Sequence, residues 1–176
     1  MVVDIVLIGP PGSGKTSVAK ALARKLDTSR IDTDHEIEVR AGKKISEIFT
    51  EDGEAKFREM EVEVVAEALT HDGGIVSVGG GSVLNESSQR AIATAKQVVF
   101  LDVSISNAAP RVGFNKDRPL LALNPRQQWL QLMEKRRPIY ESLATLTIST
   151  DNKKPDEVAS EIIETMSRAN QKNGGQ

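Results

Sequence analysis

The residues with the clearest chemical content are Gly9-Pro10-Pro11-Gly12-Ser13-Gly14-Lys15-Thr16. They fit G-x-x-x-x-G-K-[ST], the spacing of a loop that wraps the phosphates of a nucleotide. Many donors must converge on one small anion, so the chain has to turn tightly with its N–H groups inward, and the glycines permit that. A helix opening directly after the loop offers its N-terminal amides to the same anion. Lys15 adds a mobile charge for the outer phosphates, and the Thr16 hydroxyl can ligate magnesium. Gly12 through Ser17, which includes Ser13 and Gly14, is the expected nucleotide-binding set. A ligand-free Gly-rich turn is the plain alternative, and the context opposes it. Asp4 to Ile8 reads as a buried strand, and Val18, Leu22 and Leu26 follow at helical spacing.

Other constellations are more ambiguous. Asp32 and Asp34, two residues apart and just past an expected strand end, can hold magnesium through water and contact a hydroxyl. Asp34 ahead of a helix is equally a good N-cap. Arg58 and Glu61 share one helix face, but Glu54 and Arg58 at i and i+4 make a solvated salt bridge the plainer reading of spacing alone. Gly79-Gly80-Gly81 is either a flexible turn or bare backbone for a ligand to pack on. Arg118 lies in an expected loop, where an incoming arginine would stabilise charge during phosphoryl transfer. Arg136 and Arg137 are adjacent; neighbours on a helix point about 100° apart, so only one should face a given site. His35 and His71 match no ligand spacing and are read as surface residues.

These residues need a scaffold that brings strand ends together. Asp4 to Ile8, Gly74 to Val78, Val98 to Asp102 and Leu146 to Ser149 read as strands, with a brief strand end at Arg30 to Asp32. Two short helices are expected near Asp34 to Arg40 and Ile45 to Phe49. Phe57, Met60, Val64 and Ala68 mark a longer one, and Ser87 to Ala95 and Ser104 to Arg111 two more. Trp129, Leu130 and Met133 fit a helix that Pro138 is placed to interrupt, and Pro155 opens the last. Five strand–helix alternations predict an α/β protein: a three-layer α/β/α sandwich with a five-stranded parallel sheet. Ligands then sit at the carboxyl ends of the strands, where the phosphate loop, the aspartate pair and the triple glycine all fall.

Composition agrees. A chain of 176 residues suits one domain, and 39% hydrophobic with 27% charged residues is ordinary for a globular protein. The formal net charge of −2 gives no reason to expect nucleic acid or an anionic membrane as partner. The absence of cysteine excludes disulfides and thiolate metal sites and fits a cytoplasmic protein. No apolar run approaches the roughly 20 residues of a membrane span. The N-terminus lacks the layout of a secretory signal. With no obvious apolar stripe, a monomer is expected. Asn170 to Gln176 is polar and expected to fray.

In combination these motifs resemble the shikimate kinases, of the nucleoside-monophosphate-kinase-like group of P-loop folds. The resemblance spans roughly Val3 to Ala169. It rests on the phosphate loop, Asp32-Thr33-Asp34, Phe57-Arg58-x-x-Glu61, Gly79-Gly80-Gly81, Arg118-Pro119-Leu120-Leu121 and Arg136-x-Pro138-x-Tyr140. It implies transfer of the γ-phosphoryl of ATP to the 3-hydroxyl of shikimate, with Mg2+ required. It implies one P-loop kinase domain over residues 1–176, with a substrate-binding insert at about 33–61 and a lid at about 113–124. Lys15, Asp34 and Arg118 are the implied catalytic residues, and Thr16 and Asp32 the implied metal-binding ones. Arg58, oriented by Glu61, and Arg136 would grip the shikimate carboxylate, Asp34 the hydroxyls, and Gly79, Gly80 and Gly81 would line the substrate site. Arg111 resembles the arginine that stacks on adenine; Lys153 takes the second adenine-side position, where the family often has arginine. The family's sheet order puts Gly74 to Val78 beside the phosphate loop. That strand carries Ser77 and no acid, so Asp102 is read as a cap before Ser104.

Overall fold

Ile5–Ile8 (β1) is apolar and buried at all four positions, as a strand covered on both faces must be. With Arg30–Asp32 (β2), Ile75–Ser77 (β3), Gln97–Asp102 (β4) and Leu146–Ser149 (β5) it forms a parallel sheet in the order β2-β3-β1-β4-β5. The computed structural model describes residues 2–112 and 124–173. Successive strand residues feed opposite layers. Val6, Ile8, Val76 and Phe100 enter one core, Ile5, Leu7, Val99 and Leu101 the other. Helices Lys15–Leu26 (α1) and Pro155–Asn173 (α8) close the second core, through Val18, Leu22 and Ile162 among others. The first core is closed by Glu54–Ala68 (α4), Glu86–Ile92 (α5), Ile105–Val112 (α6) and Pro125–Leu143 (α7). This is the three-layer α/β/α architecture that the alternation predicts.

Thr33–Ala41 (α2) and Ile45–Glu51 (α3) pack on α4 around a separate small cluster of Ile37, Ile48, Phe57 and Val64. Gly42, at φ 68°, ends α2, and Gly53 opens α4. A 3-10 turn at Ser82–Leu84 follows the triple glycine.

Three details differ from the sequence reading. First, α7 runs through Pro138 unbroken. The proline costs about 3 kcal/mol, which burial of Trp129, Met133 and Tyr140 offsets at about 1.5–3 kcal/mol for each large side chain. Second, α8 continues to Asn173, past the expected start of fraying. Third, β3 lies beside β1 as expected, but so does β4, so sheet order alone does not remove Asp102 from the phosphate loop.

Candidate active site

Four consecutive carbonyls of the phosphate loop are each held by a donor. Gly9 O accepts from Lys15 Nζ at 2.8 Å, and Pro10 O from Lys15 Nζ at 3.2 Å and Ser13 N at 3.2 Å. Pro11 O accepts from Trp129 Nε1 at 2.8 Å, and Gly12 O from Arg111 Nη1 at 3.3 Å. Gly12 and Gly14 both have φ of 84°, and α1 starts directly after Gly14. Gly12 has a second constraint: a Cβ there would lie 2.8 Å from Val112 Cγ2 and 2.9 Å from Ala108 O.

Asp32 ends β2 in extended geometry and is the N-cap of α2, its Oδ1 accepting from Asp34 N at 3.1 Å and His35 N at 3.3 Å. The cap that the sequence offers to Asp34 therefore belongs to Asp32, and Asp34 sits inside the first turn. The other oxygen, Asp32 Oδ2, accepts from Thr16 Oγ1 at 2.5 Å. Thr33, fully buried, accepts from Gly79 N at 3.2 Å through its hydroxyl and so ties the start of α2 to the glycine turn.

The glycine turn is where the remaining polar groups meet. A Cβ on Gly79 would lie 2.6 Å from Asp34 Oδ1 and 3.0 Å from Glu61 Oε1; one on Gly80 would lie 3.4 Å from Arg136 Nη1; one on Gly81 would lie 2.8 Å from Arg58 Nη2. A side chain at Gly79 or Gly81 would displace those groups, whereas one at Gly80 would be at ordinary contact distance from Arg136. Glu61 is 3% exposed, and its two oxygens accept from Arg58 Nη1 at 2.7 Å and Ser82 Oγ at 3.0 Å. Arg58 also reaches Glu54, at a looser 3.5 Å. The buried, shorter pair to Glu61 dominates over the solvated one that spacing favoured.

Arg136 is 4% exposed, and its Nε has no hydrogen-bond partner among the described residues. An orphaned buried guanidinium N–H costs about 1–3 kcal/mol, a cost that an incoming carboxylate would remove. One helical turn on, Tyr140 donates its buried hydroxyl to Gly80 O at 2.6 Å. Burial pushes the phenol up to about 12, against a lowering by Arg136. Arg137 points elsewhere. It makes a bidentate pair with Asp102, at 2.8 and 3.1 Å, and its charge lies over the Phe100 ring. Asp102 is thus the counter-ion of Arg137 and not a cap; Ser104 N donates to Asp151 Oδ1 instead.

At the far end of the cleft, Arg111 donates to Thr150 O and Thr150 Oγ1, at 2.7 and 2.9 Å. Lys153 is drawn to Ser149 O and Glu161, at 2.9 and 2.6 Å. One cavity of about 450 Å³ runs from Lys153 and Arg111 past Gly12 to Ser17 and on to Asp32, Asp34 and Gly80. Gly80, against which Arg136 packs, lines it, whereas Arg58, Glu61 and Gly81 line a separate cavity of about 580 Å³. Arg118 and all of the expected lid at about 113–124 except Asn124 lie outside the described residues. The contacts of Thr33, Ser82, Trp129 and Thr150 are not legible in the sequence. Of these only Trp129 carried a signal, as the sole tryptophan in a chain with 3% aromatic residues.

The donor set suits a hard cation. Thr16 and Asp32 offer two oxygens at the phosphate loop, and no cluster of three metal-ligating acids, histidines or cysteines occurs among the described residues. Magnesium is commonly held in this way, with water and phosphate completing its shell.

A model of the shikimate kinase family matches residues 11–167. The chain is 52% identical over 164 residues to a shikimate kinase of Thermobifida fusca, covering 93% of this chain and 95% of that one. It is 43% identical over 162 residues to one of Streptomyces coelicolor, covering 92% and 94%. A solved shikimate kinase from Acinetobacter baumannii, in complex with shikimate, has a TM-score of 0.92 at 32% identity, covering 96% and 94%. A gluconokinase from Sinorhizobium meliloti, with a TM-score of 0.60 at 21% identity, shares the fold alone.

Proposed function

The chain belongs to the shikimate kinase family, and from that premise we propose how its residues carry the γ-phosphoryl group of ATP to the 3-hydroxyl of shikimate, giving shikimate 3-phosphate and ADP. The observation that carries the reading is the glycine turn, whose three bare positions abut Asp34, Glu61, Arg136 and Arg58, while Gly80 and Asp34 also line the cavity that begins at the phosphate loop.

The acceptor has a carboxylate at one end and hydroxyls at the other. Arg58, held by Glu61, and Arg136, with its unpartnered Nε, take the carboxylate; the planar fork fixes orientation as well as charge. Asp34 takes the hydroxyls and is the group within reach to accept the proton of the 3-hydroxyl. Lys15 brings its charge to the outer phosphates, and the loop amides cradle them. Thr16 and Asp32 would hold a magnesium ion, whose charge offsets that of the phosphates. Arg111 and Lys153 line the adenine end. Positioning is most of what such a reaction needs.

By family likeness, residues at about 33–61 form the acceptor-binding insert and about 113–124 a lid within a single domain, with Arg118 acting late on the transferring group. The same reading makes the protein a cytoplasmic monomer of aromatic amino acid biosynthesis. ADP release with shikimate, gluconate and AMP offered in turn tests the assignment. Release with shikimate alone is expected; equal release with either of the others overturns it.

A further inference from the structure

The phosphate loop is built from residues that permit its shape without enforcing it. The Pro11–Gly12 peptide can flip if the ψ angle of Pro11 and the φ angle of Gly12 change together, and a glycine accepts φ of either sign. Gly12 stands at φ 84°, and no peptide bond among the described residues is cis. In a trans peptide the carbonyl oxygen and the following N–H point to opposite sides. Whatever holds Pro11 O therefore sets the direction of Gly12 N–H. What holds it is Trp129, 3% exposed on α7, whose indole N–H donates to Pro11 O at 2.8 Å. Gly12 lines the cavity, and its α-carbon is backed by Ala108 and Val112 of α6.

We propose that Trp129 is a positioning residue for nucleotide binding: its Nε1–H turns the Pro11 carbonyl toward α7 and thereby presents the Gly12 amide to the phosphates. Trp129 does not itself touch substrate. The proposal rests on the reading of the cavity as a nucleotide site and goes beyond the roles given above to the loop's own residues.

Trp129 is the only tryptophan, so global replacement of tryptophan changes this position alone. Benzothienylalanine keeps the bicyclic ring and removes the N–H. The affinities for ADP and for shikimate are measured separately at equilibrium, with the thermal midpoint alongside. The expected result is a loss of about three- to tenfold in ADP affinity, with shikimate affinity unchanged and the midpoint lowered by no more than one lost hydrogen bond accounts for. Incorporation of 5-fluorotryptophan, which keeps the N–H, leaves both affinities as they were. Trp129→Phe serves as the second variant if the analogue protein does not fold, judged by the same split. Unchanged ADP affinity, or an equal loss for both ligands, overturns the proposal. ADP binding needs no turnover. Failure of the wild-type protein to phosphorylate shikimate would therefore strike the proposed reaction and leave the tether to be judged by its own titration.

Discussion

Arg136 and Arg137 are neighbours on α7 with separate destinations: Arg137 clamps the carboxylate of Asp102 with both arms of its fork, while Arg136 is buried beside Gly80 with an Nε that has no partner among the described residues. The 100° turn between adjacent helical residues is enough to send one to the end of β4 and the other to the end of β3.

Arg136→Ala is expected to weaken shikimate binding by about 1.5–3 kcal/mol, or roughly tenfold to a hundredfold or more. Arg137→Ala should leave that affinity unchanged and lower stability by about 0.5–1 kcal/mol, since its ion pair is about one-third exposed to solvent. Shikimate titration and thermal melts of both variants measure this. Equal losses of shikimate affinity would reverse the assignment.

Asp32 has two separable duties, because one oxygen caps α2 and the other holds Thr16. Asp32→Asn keeps an oxygen acceptor for the cap and loses the charge; Asp32→Ala loses both. Only the alanine variant should lose stability, by about 0.5–2 kcal/mol, while both should need more magnesium to reach half activity. A magnesium titration of the asparagine variant that matched wild type would take Asp32 out of the metal site.

Asp34→Asn preserves shape beside Gly79 and removes basicity. Turnover on shikimate is expected to fall by about a hundredfold or more, with ADP affinity nearly unchanged. Wild-type kinetics would leave the carboxylate with no part in the reaction. The helix-cap explanation for it is already taken by Asp32.

Tyr140 gives a pH-dependent prediction. Its folded pKa of about 12 is raised above the ordinary 10, so its contribution to stability is intact below pH 10 and is lost as pH rises toward 12. The loss is at most about 3 kcal/mol for two pKa steps. Tyr140→Phe has nothing to ionise there. Its stability deficit relative to wild type, read by urea melts, should shrink between pH 10 and pH 12. A constant deficit would show that the phenol's ionisation is not coupled to folding.

The strands were legible because a buried parallel strand needs an unbroken apolar run, and β1 and β4 supply one. The phosphate loop was legible because its glycines and lysine fall at fixed spacing within one short run, Gly9 to Thr16. What stayed hidden depends on partners far apart in sequence. Asp102 and Arg137 are 35 residues apart, and Pro11 and Trp129 are 118 apart. No local pattern marks either pair. The cap of α2 was misplaced by two residues because Asp32 and Asp34 are chemically alike, and only the extended backbone of Asp32 decides between them. Pro138 misled in the other direction: its local penalty is real, and tertiary burial outweighs it.

The placement of Trp129 also makes the molecule its own optical gauge. All indole emission from this chain originates at one ring, hydrogen-bonded to the phosphate loop and 3% exposed. Changes in its colour or yield report electrostatics at the nucleotide end without dilution by other tryptophans. The acceptor end, built from arginines, acids and glycines, contributes no indole signal of its own. Filling of the nucleotide half of the cleft can therefore be followed in unlabelled protein, and whether that step precedes or follows the addition of shikimate becomes a question for a stopped-flow fluorimeter.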